Sequence, residues 1–162
     1  MYSLKSNHTI TYINPLDTAI DWPDSQEEYE SLADKYSDTL DVNLLPLKGT
    51  PIKWTLRPLT PSQLSWTVGQ AMDRDTGKVD NDSWTFHLAL AGVVGVEDAP
   101  AGMPQPGFVS EGKRLRYLDP QWLDAIGAPV DYINAIGLAV MKISTRDSGT
   151  EKNSYSLSVN RR

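Results

Sequence analysis

The stretch Ile52-Lys53-Trp54-Thr55-Leu56-Arg57-Pro58-Leu59-Thr60-Pro61-Ser62-Gln63 decides the fold class, because a strand and a helix start stand side by side in it. Ile52, Trp54 and Leu56 alternate with Lys53, Thr55 and Arg57, which puts an apolar set on one face of an extended segment and the charged set in solvent. Thr60 then stands as a helix cap, with Pro61 in the first turn and Gln63 three residues after the cap. A switch from period two to a capped helix within so short a span predicts an α+β fold. The expected architecture is a small antiparallel hairpin or sheet packed by four to five helices, with extended N- and C-terminal arms.

Upstream, Leu44-Leu45-Pro46-Leu47 leads through Lys48-Gly49 into the alternating segment, which predicts a hairpin with Gly49 supplying a positive φ. Pro46, Pro51 and Pro58 lack an N–H, so these strands are expected to be short or at an edge. Thr9 to Ile13 reads as a further short strand, ended by Asn14-Pro15. Asp24 or Ser25 then caps a helix whose Tyr29, Leu32, Ala33 and Tyr36 share one face. That face is thin and aromatic, suited to packing onto something rather than to burial. The division expected is an N-terminal arm over 1–40, a compact domain over 41–145 and a polar tail over 146–162.

Downstream of Gln63, Leu64, Thr67, Val68, Ala71 and Met72 form an apolar helix face, followed by a polar loop over 73–82. Asp82 or Ser83 is expected to cap a helix from Trp84 to about Val94, although Trp84, Phe86, Leu88 and Leu90 also alternate as a strand would. The Pro- and Gly-rich stretch from Gly95 to Gly112 predicts an irregular loop. Asp119-Pro120 opens a short helix closed by Gly127. After Pro129 a last helix carries Ile133, Ile136, Val140 and Ile143 as a buried stripe, with Gly137 permitting close approach of a neighbour. In the tail, Tyr155, Leu157 and Val159 alternate with Ser154, Ser156 and Ser158 as in a strand.

Composition narrows the function classes. The absence of cysteine among the 162 residues excludes disulfides, thiolate metal sites and thiol catalysis. The net charge of −6 argues against nucleic acid as a partner, and Lys113-Arg114-Leu115-Arg116 and Arg161-Arg162 read as solvated clusters. The opening residues carry no apolar stretch, and the longest apolar run, Leu88 to Val96, is about half of a bilayer span. These features predict no membrane and a protein of the cytoplasm.

Local motifs do not predict a catalytic centre, a metal site or a cofactor. Gly107 to Lys113 matches P-loop spacing, but Arg114 stands where a magnesium-holding Ser or Thr belongs, and Pro104 and Pro106 replace the preceding strand. Asp73, Asp75, Asp80 and Asp82 evoke a calcium loop, yet Lys78 and Trp84 occupy the positions that need Gly and Glu. His8 and His87 have no third ligand at a zinc spacing, and His87 reads as a hydrogen-bonded core-edge residue. A ligand-binding or enzymatic site assembled only in three dimensions stays open.

The aromatics point instead to contacts with proteins. Trp54 fits the core face of the strand, whereas Trp66 falls off its helix stripe and Trp22 precedes a thin apolar face. Aromatic side chains off a core face are enriched at interfaces, and alternating arms can add to a neighbour's sheet. The expected partner-binding residues are Trp22, Tyr29, Tyr36, Trp66, Tyr155, Leu157 and Val159.

The layout around Trp54-Thr55-Leu56-Arg57-Pro58-Leu59-Thr60 is a short hairpin, a capped helix, an acidic loop, a helix ending near Gly95-Val96-Glu97-Asp98, and a final helix ending at Ile143-Ser144. Over about residues 42–145 it resembles the tail-assembly chaperones of long-tailed bacteriophages. The resemblance implies a non-enzymatic protein that binds tape-measure and tail-tube proteins during assembly, and it carries over no catalytic residue. The N-terminal segment and the Pro/Gly insertion around 99–107 depart from that family. The alternative is a small structural component of the virion, such as a connector, decoration or tail protein, whose arms contact connector or capsid proteins or a second copy in a homo-oligomer.

Overall fold

The computed structural model describes residues 8–112 and 115–147 and has the expected α+β class. The order is β1 (Ile10–Tyr12), α1 (Gln26–Thr39), a single 3-10 turn (Val42–Leu44), β2 (Lys53–Leu56), α2 (Pro61–Ala71), α3 (Asn81–Gly92), β3 (Val93–Glu97), β4 (Phe108–Glu111), β5 (Leu115–Leu118), α4 (Pro120–Ile126) and α5 (Val130–Asp147). β1, β2 and β3 form one antiparallel sheet with β2 in the middle, and β4 and β5 form a separate hairpin.

The alternation in β2 faces as its sequence demands, with Trp54 and Leu56 fully buried. Its neighbours differ from the expectation. Leu44–Leu47 makes no hairpin with it. Instead Tyr12 pairs with Trp54 on one side and Val96 pairs with it on the other. Alternation specifies which face is buried, not which strand lies alongside. Pro51 and Pro58 lie just outside β2, so the ladder lacks no N–H and the strand can be central. Gly49 is not among the glycines of positive φ, and Leu47 instead bridges Ile20. Arg57 is not a solvent group either. Its half-buried guanidinium donates to the carbonyls of Ala91 (3.0 Å) and Arg116 (2.8 Å), joining the ends of β2, α3 and β5.

The helix starts follow local chemistry. Ser25 caps α1, accepting from the Glu28 amide, and Thr60 and Gln63 form a reciprocal capping box on α2. α3 begins earlier than expected because Asp80, not Asp82 or Ser83, accepts from the Ser83 amide. The helix stops at Gly92, and the chain continues directly into β3, so Gly95 is a strand residue paired with Thr55. The Gly95–Gly112 stretch is therefore irregular only between β3 and β4, and Leu115-Arg116 belongs to β5.

α3 and α5 form the helical centre of the core. Gly137 packs against the backbone of α3, where an added Cβ would clash with the Thr85 carbonyl and stand 2.9 Å from its Cα. Gly92 accepts Val140 in the same way from the other helix, with a Cβ there only 2.6 Å from Val140 Cγ1. Ile136 and Val140 are fully buried, and Ile133 and Ile143 nearly so, as the stripe predicts. The described residues of the N-terminal segment contribute to this core. β1 is in the main sheet, and Tyr12, Ile13, Ile20 and Tyr36 are buried with Trp54 and Ile136.

Candidate functional site

An open cleft of about 940 Å³ lies above the Trp54 end of β2. Four loops wall it: Leu16–Ala19, Lys48–Thr50, Pro100–Pro104 and the α4–α5 junction over 125–129. Hydrogen bonds hold the walls. Asn14, wholly buried, donates to the Tyr132 carbonyl (2.7 Å) and accepts from the Leu16 amide (3.0 Å), which fixes the first loop to α5. Asp17 accepts from the amides of Ala19 (2.8 Å) and Ile52 (2.9 Å), so one carboxylate shapes the turn and pins it to the next wall. The Lys48 amide donates to the Ala19 carbonyl at 2.8 Å. Trp122 donates its indole N–H to the Pro104 carbonyl (2.8 Å), anchoring the Pro/Gly loop. Gly127, at φ 68°, ends α4 in the left-handed conformation and lets the chain turn sharply into α5.

The floor is aromatic. The Trp54 indole N–H donates to the Tyr132 hydroxyl at 2.9 Å, and the Trp54 ring meets Tyr132 and Trp122 edge-on at 6.0 and 5.9 Å. Burial is the main force pushing the Tyr132 phenol up to about 12. The Trp54 hydrogen bond opposes this, and the Asp17 charge adds to it. The phenol is therefore a neutral group across the ordinary pH range. Leu16, 56% exposed, lines the cleft, and the exposed Leu47 (44%) and Val130 (63%) adjoin the lining residues Lys48 and Pro129 in sequence. Asp17 and Lys48 supply one charge of each sign. Such a trough suits an apolar segment with few polar contacts.

A smaller groove of about 230 Å³ runs between α1 and α5, lined by Trp22, Ala33, Ser37 and Leu40 on one side and by Leu138 and Lys142 on the other. Two of the residues singled out from the sequence meet at its end. Trp22 is half-buried, donates to the Pro15 carbonyl (3.2 Å) and packs edge-on against Tyr29 at 5.1 Å; Tyr29 itself is 38% exposed. Tyr36 is a correction. It is buried, and its hydroxyl donates to the Ile13 carbonyl (2.7 Å) while accepting from the Ile13 amide (3.0 Å), so it is a core residue and not an exposed contact, although it lies in the lining of this groove. Trp66 lies elsewhere, against Tyr117 and His87 on the α2–α3 side. Its indole nitrogen is buried and has no hydrogen-bond partner among the described residues. Tyr155, Leu157 and Val159 fall outside the described residues.

The weaker motifs resolve into structure. Phe108–Glu111 of the P-loop-like stretch is a strand, and Lys113 lies outside the described residues. Asp73, Asp80 and Asp82 each accept a hydrogen bond within their own surroundings, from Asp75, Ser83 and Asn134. No cluster of three His, Asp or Glu able to hold a metal occurs among the described residues. His87 donates from Nδ1 to the Ser83 carbonyl at 2.7 Å, at the edge of the core. No helix among them is long and apolar enough to cross a membrane.

Asn14, Asp17 and Tyr132 were not among the site residues expected from the sequence. The Asn14-Pro15-Leu16-Asp17 turn carried the one available signal, since Asn and Asp in turns bond their own backbone. Comparison of the chain with family models, with curated proteins and with solved structures found no match.

Proposed function

We propose that this chain is a non-catalytic binding protein whose 940 Å³ cleft receives an extended apolar segment of another protein. The observation that carries the proposal is the pairing of an aromatic floor, Trp54 and Tyr132, with Leu16, an exposed apolar side chain in the cleft lining. Apolar side chains left in water beside a preformed trough favour association, and roughly 25 cal/mol per Å² of buried apolar surface drives it. The polar groups in the walls are largely occupied in holding the walls. Asp17 serves two backbone amides and Asn14 joins a turn to a helix.

The partner class rests on the sequence resemblance of about residues 42–145 to the tail-assembly chaperones of long-tailed phages. On this proposal the bound segment belongs to a tape-measure or tail-tube protein, held during assembly in the host cytoplasm. A structural place in the virion is the second reading. It would use the same cleft on connector or capsid proteins, and the exposed Tyr29 and Leu138 favour it as additional contact points. Purification of the tagged chain from infected cells, beside a census of finished particles, separates the two: a chaperone is absent from particles, a component is stoichiometric in them.

A further inference from the structure

The groove between α1 and α5 is apolar, separate from the cleft, and ends beside the point where the described chain stops. Its outer lip is Leu138, 60% exposed, and its floor includes Ala139 and Leu40. α1 and α5 are fastened together at their C-terminal ends: Arg146 donates to the Asp38 carbonyl (2.7 Å), and Lys142 lies 3.8 Å from the Asp38 carboxylate. The described chain therefore ends, at Asp147, near the mouth of this groove.

We propose that this C-terminal segment docks in the α1–α5 groove of its own chain, with Tyr155, Leu157 and Val159 facing the apolar surface. Three observations converge. The first is periodicity, since Tyr155, Leu157 and Val159 alternate with Ser154, Ser156 and Ser158 and so give an extended segment one apolar edge. The second is reach. Leu157 can lie up to about 33 Å from Asp147 in extended chain, whereas Leu138 is only about 14 Å back along the helix. The third is charge. A segment running back from the C-terminal end of α1 brings Arg161 and Arg162 towards its exposed Glu27, Glu30 and Asp34. Tethering supplies an effective concentration in the mM range, which favours the chain's own segment over that of a second copy. The docked segment would cover Leu138 and extend the apolar contact towards Trp22 and Tyr29. The inference stands independently of what the larger cleft binds.

The chain has no cysteine, so engineered pairs report cleanly. Ser37→Cys, on the groove, is combined with Leu157→Cys and compared with Ser62→Cys plus Leu157→Cys. Ser62 is exposed and lies near the same end of α5, where the Leu59 amide donates to Ser144. Under an added oxidant, docking gives a monomeric disulfide at least tenfold faster for the Ser37 pair. That advantage is lost when Tyr155→Asp and Val159→Asp are added. Equal rates for the two pairs overturn the proposal, and so does a product found mainly as a disulfide-linked dimer, which would assign the groove to a second copy.

Discussion

Trp54 and Tyr132, far apart in the sequence, share a hydrogen bond of 2.9 Å at the point where the central strand meets the start of the longest helix. The pair joins the sheet to α5 and forms the cleft floor, so one interaction supports both the fold and the proposed site.

Tyr132→Phe removes the acceptor and leaves the indole N–H of a fully buried Trp54 without its partner. The expected loss is about 1–3 kcal/mol. Urea titration should show a lower midpoint with an unchanged slope, because the surface exposed on unfolding stays the same.

The close approach of α3 and α5 makes opposite predictions for two glycines. Gly137→Ala drives a methyl into the Thr85 backbone, which has no flexible end to give way, and should cost at least about 1–3 kcal/mol. Gly69→Ala, on α2 with no atom within 4 Å of the new Cβ, should stabilise by about 0.4–1 kcal/mol through a less flexible unfolded chain. Thermal unfolding of the two variants distinguishes packing from helix propensity.

Alkaline stability follows from the buried phenols. Burial raises Tyr36 and Tyr132 from 10.0 to about 12 and moves Tyr12 in the same direction. The unfolded chain releases these protons first, so it binds fewer protons than the folded chain above the ordinary tyrosine value. The stabilisation is thus complete below about pH 10 and is lost as the pH rises towards about 12. Denaturant midpoints measured across that window should fall steeply, and Tyr132→Phe should make the fall shallower.

Arg57 links three element ends through the backbone carbonyls of Ala91 and Arg116. Arg57→Met keeps much of the stem but loses both guanidinium hydrogen bonds. About 1.5–3 kcal/mol per bond is expected for a charged donor, reduced by the water that can reach a half-buried site. Arg57→Lys should recover only part of it, because an ammonium lacks the planar fork. Chemical denaturation of the two variants measures the difference.

What the sequence made legible was what neighbouring residues decide together. Thr60-Pro61-Ser62-Gln63 started a helix because its cap, first turn and returning glutamine lie within four positions. Trp54 and Leu56 faced inward because alternation is a property of the segment itself. The neighbours of β2 were not legible. Tyr12 and Val96 come from either side of long intervening stretches, and an adjacent Leu-rich segment was the nearer choice. Tyr36 looked like a contact residue because its helix has few apolar positions, and its burial depends on Ile13 offering both backbone groups to one hydroxyl. The cleft escaped for a related reason. Its walls are four loops from separate regions, tied together by bonds between residues distant in sequence, and none carries a motif.

The most direct test of the cleft as a protein-binding site is quantitative mass spectrometry of what co-purifies with the tagged chain from phage-infected cells, compared with a Leu16→Arg/Ala125→Arg variant. Both substituted residues are exposed lining positions, so the charges should enter the trough without disturbing the core. The account predicts a stoichiometric tape-measure, tail-tube, connector or capsid protein with the unaltered chain, and at least a tenfold loss of it with the folded variant. Recovery of the unaltered chain alone, or equal capture by both chains, would contradict it.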